Sequence, residues 1–293
     1  QKTAYEIRLS LVGSEMCIRD RLPRSLQLKI SPLISKFISI FLQKRNRISK
    51  KNIDACFYDQ DDIERRILIK NNINNSGLVV FDTAISWFWS DARINKEIKY
   101  KIRGLKQLKN EQNKGNGILL FFKHSLHLEL DARILGMNAD IYGVERTHNS
   151  KFFDAIQSKG RLKGVKGLCD KNKPLKFIKW LLSGKTVLYA TDQDYGMNGS
   201  EVVNFFNLPA ATISAPHKII EKTNCQTYFL NSFIENDEYI IEIEKIELNM
   251  NSYNEMSYDL NKIIENSIRK HPSEYLWQHR RFKSTLGKED FYK

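Results

Sequence analysis

A histidine that ends an apolar run, with a carboxylate five residues later, is the pattern in this chain best suited to acid–base chemistry. The stretch reads Lys123-His124-Ser125-Leu126-His127-Leu128-Glu129, directly after Gly117-Ile118-Leu119-Leu120-Phe121-Phe122. The run has the length and composition of a buried strand, and strand ends are where open α/β sheets place their ligand crevices. There His124 could accept a proton, while Glu129 fixes its tautomer and supports its positive charge. Five residues along a helix rotate a side chain by about 500°, which leaves such a pair about 140° apart. The pair works only if His124 sits in the turn before the helix and Glu129 reaches back from the first turns.

The same stretch offers a rival chemistry. His124, His127 and Asp131 are spaced i, i+3, i+7, within about 60° on one helical face, a geometry that suits a metal-dependent hydrolase. That reading needs the helix to include His124, and no further Cys/His cluster stands nearby to complete a ligand set. A plainer alternative is a pair of surface histidines at a helix start.

The elements that must position these residues can be read from periodicity. Segments 117–122, 140–144 and 186–191 have strand patterns; 126–135, 151–158 and 174–183 have helical ones. Their alternation predicts βαβ units, hence an α/β fold with a mixed, largely parallel central sheet flanked by helices. Segments 226–232 and 238–248 read as an antiparallel pair turned by Asn236-Asp237, and 252–270 as a closing helix. Upstream, 59–70 is a helix opened by acidic residues, and 78–89 continues helically to Trp87-Phe88-Trp89. That aromatic cluster suits a protein core and also a membrane interface.

Segment 31–43 is strongly amphipathic and runs into Lys44, Arg45, Arg47, Lys50 and Lys51. An apolar helix followed by a basic cluster fits an anionic membrane face, and equally a core helix with a solvated end. The expected organisation is a helical, membrane-associating region over 22–100 and an α/β catalytic domain over 101–293. Residues 1–21 read as a translated sequencing adapter (Gln1-Lys2-Thr3-Ala4-Tyr5-Glu6-Ile7, then Leu11 to Asp20) and are set aside. The alternative is a genuine amphipathic leader. On the adapter reading the native N-terminus, with any anchor it carries, is missing.

Lys and Arg number 47 against 34 Asp and Glu, for a net charge of +13. Such a balance calls for acidic partners: nucleic acid, anionic lipid or an acidic carrier protein. No nucleic-acid-binding motif accompanies it. Beyond Cys17, the cysteines Cys56, Cys169 and Cys225 are widely spaced, without a C-x-x-C, as in a reducing compartment with no zinc knuckle.

Further blocks follow in order. They are Ala84-Ile85-Ser86-Trp87-Phe88-Trp89, His124-x4-Glu129 with Leu130-Asp131-Ala132-Arg133, Gly143-Val144-Glu145-Arg146, and Gly160-Arg161-Leu162. Next come Asp192-Gln193-Asp194-Tyr195-Gly196, Pro209-Ala210-Ala211-Thr212, and the run from Pro272 through Trp277-Gln278-His279-Arg280-Arg281-Phe282-Lys283. Together, from about Leu22 to the C-terminus, they resemble the bacterial lipid A biosynthesis acyltransferases, within the wider His-x4-Asp/Glu glycerolipid acyltransferases.

The resemblance implies transfer of a fatty acyl chain from an acyl-acyl carrier protein thioester to a hydroxyl of a lipid A precursor. The setting it implies is the cytoplasmic face of the bacterial inner membrane, with neither cofactor, metal nor nucleic acid. Another glycolipid or a lysophospholipid is the alternative acceptor. His124 would be the general base and Glu129 its partner. Arg161 matches the family's essential arginine and would bind the oxyanion or a lipid phosphate; a surface salt bridge is its alternative. Arg146 is a second phosphate candidate, or a structural ion pair. Asp192 and Asp194, past the 186–191 strand, would position Arg161 or bind acceptor hydroxyls, or build a turn. His279, Arg280 and Arg281 would serve C-terminal packing or a headgroup; His148, His217 and His271 carry no motif. Lys123, His127 and Gln193 depart from the family's usual residues, which leaves chain length and acceptor position open.

Overall fold

The computed structural model describes residues 22–147 and 150–293. Residues 1–21, expected to be a translated adapter, and His148 lie outside the described residues. The chain starts with three helices, α1 (Arg24–Phe41), α2 (Gln43–Cys56) and α3 (Asp62–Phe88). Asp61 and Glu64 form a capping box that starts α3, as the acidic opening predicted. The two helical patterns expected over 59–70 and 78–89 are one continuous helix, roughly 40 Å long at 1.5 Å per residue.

α1 is inverted relative to a globular helix. Its buried residues are the polar Gln27, Ser31 and Ser35, packed on α3, whereas Leu33, Phe37, Ile40 and Phe41 are each at least 60% exposed. Small residues permit the close approach: Ser35 Oγ bonds the Ile73 carbonyl, and Gly77 meets the Ser31 backbone. No single described helix is long and apolar enough to cross a membrane; α1 and α2 pass that test only as a pair, bent by 100°.

After α4 (Asp91–Glu97) come β1 (Tyr100–Arg103), α5 (Leu105–Asn113), β2 (Ile118–Phe122), α6 (Leu128–Asn138), β3 (Ile141–Glu145) and α7 (Lys151–Arg161). Then β4 (Gly167–Asp170), α8 (Pro174–Leu182), β5 (Thr186–Ala190), the hairpin β6 (Ser200–Phe205) and β7 (Leu208–Ile213), and α9 (Ala215–Thr223) follow. The chain closes with β8 (Gln226–Glu235), β9 (Glu238–Lys245), α10 (Tyr253–Lys270) and a 3-10 turn over Pro272–Glu274. The expected strands and helices of the catalytic region are all present within a few residues. Asn236 and Asp237 turn β8 into β9 with φ of 51° and 61°, the left-handed pair that a two-residue hairpin requires.

Seven strands form one sheet in the order β1-β9-β8-β2-β5-β3-β4, and every pairing is parallel except β8 with β9. β2 is central and buried on both faces, which explains its unbroken apolar run. Leu119 and Phe121 join a core with Phe177, Ile264 and Trp277, while Ile118 and Leu120 join the opposite core with Ile134 and Ile241. The N-terminal helices feed both, through Ile53 and Leu68 on one side and Ile85 on the other. The edge strands β1 and β4, with α5 and the β6–β7 hairpin, were absent from the sequence reading. Each edge strand has only four residues, and in β1 the exposed Lys101 and Arg103 alternate with the half-buried Tyr100 and Ile102, a usual form of a protected edge.

The α1–α3 contact is tight enough to test. A Cβ on Gly77 would stand 2.3 Å from the Ser31 carbonyl oxygen. Gly77→Ala should therefore cost about 1–3 kcal/mol by forcing the helices apart. Chemical denaturation would measure it, with faster proteolytic release of α1 as the companion readout.

Candidate active site

The parallel register of β2 with β5 aligns Phe122 with Ala190. Two residues beyond each strand end, the same register brings His124 opposite Asp192. Asp192 Oδ1 lies 2.6 Å from His124 Nδ1, and its Oδ2 accepts the His124 backbone N–H at 2.8 Å. The carboxylate is fully buried. Burial opposes its charge, but the His124 ring and these hydrogen bonds overcome that and hold its pKa at about 2. An acceptor on Nδ1 places the ring hydrogen there and leaves the Nε2 lone pair available. His124 lines a cleft of about 660 Å³, a size ordinary for a ligand site.

Glu129 has a different partner from the one expected. Its carboxylate takes Arg161 Nε at 3.1 and 3.2 Å, also Arg161 Nη2, and Trp87 Nε1 at 2.8 Å. Arg161 Nη1 reaches Glu145 at 2.7 Å. Burial works against the guanidinium charge, but Glu129 and Glu145 more than compensate and raise its pKa. Among the described residues the carboxylate bonded to His124 is Asp192, whereas Glu129, which also lines the cleft, is bonded to Arg161. Gly160 makes this packing possible, since a Cβ there would stand 2.3 Å from the Trp87 ring.

His127 and Asp131 face away from His124 and belong to a buried network. His127 Nδ1 lies 2.8 and 2.9 Å from the two Asp131 oxygens, and its Nε2 lies 3.0 Å from Glu274. Burial disfavours the imidazolium, but Asp131 and Glu274 raise its pKa to about 10. Ser125 and Ser232 also donate to Asp131. Lys123 lies beside this network, bonding Asn231, the Ser232 carbonyl and Ser267, and burial lowers its pKa to about 8. The set His124, His127 and Asp131 is thus split between two sites, and the described residues contain no group of three or more His, Cys, Asp or Glu placed for a metal.

The remaining predicted residues divide between cleft and scaffold. Arg146 is exposed at the cleft mouth. Asp194 also borders the cleft, but its carboxylate is spent on Gly196 N and on the Ser284 N–H and hydroxyl. His279, expected in packing or at a headgroup, lines the cleft as well, with Nε2 2.9 Å from Asp194 N. Arg281 is buried against Ala211 and Thr212. His217 bonds the Met250 carbonyl, and His271 stacks on Phe233. Leu128, Ala132, Val165, Leu168 and Leu188 give the cleft an apolar lining, and Arg146, Lys171 and Lys283 add cations.

A family model described as bacterial lipid A biosynthesis acyltransferase matches residues 3–284. The chain belongs to this family. It is 29% identical to a lipid A biosynthesis palmitoleoyltransferase of Escherichia coli over 86% of this chain and 83% of that protein. It is 31% identical to a lipid A biosynthesis acyltransferase of Haemophilus influenzae, over 83% and 78%. A lipid A biosynthesis lauroyltransferase of E. coli is 29% identical over 86% and 83%. The protein is therefore an acyltransferase of lipid A biosynthesis. Two parts of its cleft escaped the sequence reading. Trp87 and Glu145 lay inside family blocks, but nothing local said that they meet Glu129 and Arg161. The role of Asp192 was legible only through strand order.

The buried network should leave a pH signature. The His127 pKa is about 10 in the fold against an ordinary 6.5. Its contribution is complete below pH 6.5 and falls away progressively as pH rises through about 10. Lys123, lowered from 10.5 to about 8, has the opposite sign, since its buried charge is relieved as pH climbs from 8 to 10.5. Removing one partner of a buried ion set costs about 3–5 kcal/mol. His127→Gln should therefore lose most stability near pH 6, with the gap to the parent narrowing by pH 8. Urea titrations at both pH values would check it.

Proposed function

We propose that the cleft transfers a fatty acyl chain from an acyl-acyl carrier protein thioester to a hydroxyl of a lipid A precursor. The observation that carries this reading is the His124–Asp192 pair, with an Nε2 that has no partner among the described residues, on a cleft that is apolar along one part and cationic elsewhere. An alcohol is a weak nucleophile near neutral pH, so Nε2 takes its proton as the oxygen attacks the thioester carbon. Asp192 holds the ring hydrogen on Nδ1 and balances the imidazolium that forms. The tetrahedral intermediate collapses by breaking the C–S bond, and the imidazolium proton goes to the departing sulfur. No acyl-enzyme is required, because both substrates share the cleft and positioning supplies much of the acceleration. The apolar lining suits the acyl chain. Arg146 and Lys171 suit acceptor phosphates or an acidic carrier, while Glu129 keeps Arg161 in place.

Activity of the purified protein with acyl-acyl carrier protein and lipid A precursor tests this directly, with a lysophospholipid as the competing acceptor. His124→Ala should abolish transfer. Asp192→Asn, which permits the wrong tautomer, should lower kcat on the order of 10³–10⁴-fold. Glu129→Gln should be milder than Asp192→Asn. Equal activity of Asp192→Asn and the parent would sink the pairing.

The same reading sets the enzyme on the cytoplasmic face of the bacterial inner membrane. Leu33, Phe37, Ile40 and Phe41 on the outer side of α1 enter the interface, and Lys44, Arg45 and Arg47 meet anionic headgroups. Cosedimentation with phosphatidylglycerol vesicles should fall more than about tenfold in Phe37→Glu/Phe41→Glu, given the cost of carboxylates in the interface. Unchanged binding would remove α1 from the contact.

A further inference from the structure

Acyl transfer needs a hydrogen-bond donor at the thioester oxygen as it becomes negative, and Arg161, the sequence candidate, has none to spare. A guanidinium carries five N–H bonds. The Nε–H goes to Glu129, one Nη2 hydrogen to Glu129, and one Nη1 hydrogen to Glu145. The other two face the Gln157 amide and are satisfied when that amide is oriented with its oxygen toward the guanidinium, at 2.6 Å from Nη1 and 3.1 Å from Nη2. Lys283 is directed at the Asp194 carbonyl at 2.7 Å, and Lys123 is buried in its own network.

His279 has a donor left over. Its Nε2 lies 2.9 Å from the backbone nitrogen of Asp194, and a backbone N–H can only donate. Nε2 must therefore be the acceptor, which places the ring hydrogen on Nδ1. A second proton on Nε2 would set two N–H bonds against each other, so the contact also keeps the ring neutral. Burial, then the neighbouring His124, lower its pKa to about 4 in agreement with this. Nδ1 has no partner among the described residues, and His279 is one of the residues that line the cleft. One segment supplies both histidines: Asp192 bonds His124, and two residues later the Asp194 N–H fixes the His279 tautomer.

We infer that His279 is a further catalytic residue, whose Nδ1–H donates to the acyl carbonyl oxygen as that oxygen takes on negative charge. The step moves no proton from His279. The hydroxyl proton goes to His124 and then to sulfur, so the charge balance of the transfer is unchanged. Neutrality matters, because a cation here would repel the imidazolium that His124 becomes. This inference rests on the acyl-transfer reading above.

The two nitrogens can be mimicked separately. In His279→Asn the side-chain amide falls near Nδ1, so the donor is kept and the acceptor for Asp194 N–H is lost. In His279→Gln the amide reaches the Nε2 position, so the acceptor is kept and the Nδ1 donor is lost. Loss of one such donor costs about 10²–10³ in rate. His279→Gln should therefore lose about 100-fold in kcat, with KM and thermal midpoint near those of the parent. His279→Asn should keep a kcat at least about tenfold above the Gln variant, even where its midpoint drops. A smaller Asn-to-Gln ratio, or a loss confined to KM, overturns the assignment. Absence of transfer by the parent protein would instead overturn the acyl-transfer reading.

Discussion

Parallel pairing of β2 with β5 is the contact on which the site depends. It links strands 68 residues apart and sets their ends in register, so that His124 and Asp192 meet without help from a flexible loop. Both strands are buried, so slippage by one residue would turn apolar side chains into the wrong core as well as break the pair. The stability of the sheet and the geometry of the His124–Asp192 pair are thus one constraint.

The turn that carries His124 is held from behind by the C-terminal segment. Leu126 N donates to the Glu274 carbonyl, Leu276 N donates to the His124 carbonyl, and Ser125 bridges Tyr275. Glu274 then reaches His127 and the Ile234 N–H. The resulting buried charges carry a desolvation cost that only mutual pairing offsets. Lys123 and His127, unusual beside the family pattern, are therefore supports of the turn rather than groups in the cleft. Glu129 lines the cleft and, with Glu145, holds Arg161, while Trp87 bonds its carboxylate.

α1 reverses the normal rule of burial. Serines and a glycine make its intramolecular contact, because small residues let two helices approach closely, and its large apolar side chains face outward. Such a face is costly in water unless another apolar phase covers it. The same inversion explains why amphipathicity alone could not distinguish core from membrane: the period reveals a face, not which side of it the protein occupies.

Much was legible from sequence. Strand and helix alternation, the Asn236-Asp237 turn, the acidic start of α3 and the position of His124 at a strand end are local, set by periodicity and backbone preference over a few residues. The ordered blocks also identified the family. The sequence could not say which carboxylate bonds His124, since that depends on strand order: the expected partner, Glu129, is five residues away, and the observed one, Asp192, is 68 away. Nor could it place His127 in a buried ion set with Glu274, 147 residues on, or turn His279 toward the cleft. Residue type and spacing specify what a side chain can do. Only the packed fold determines which neighbours exhaust its hydrogen bonds and which atoms remain free to act.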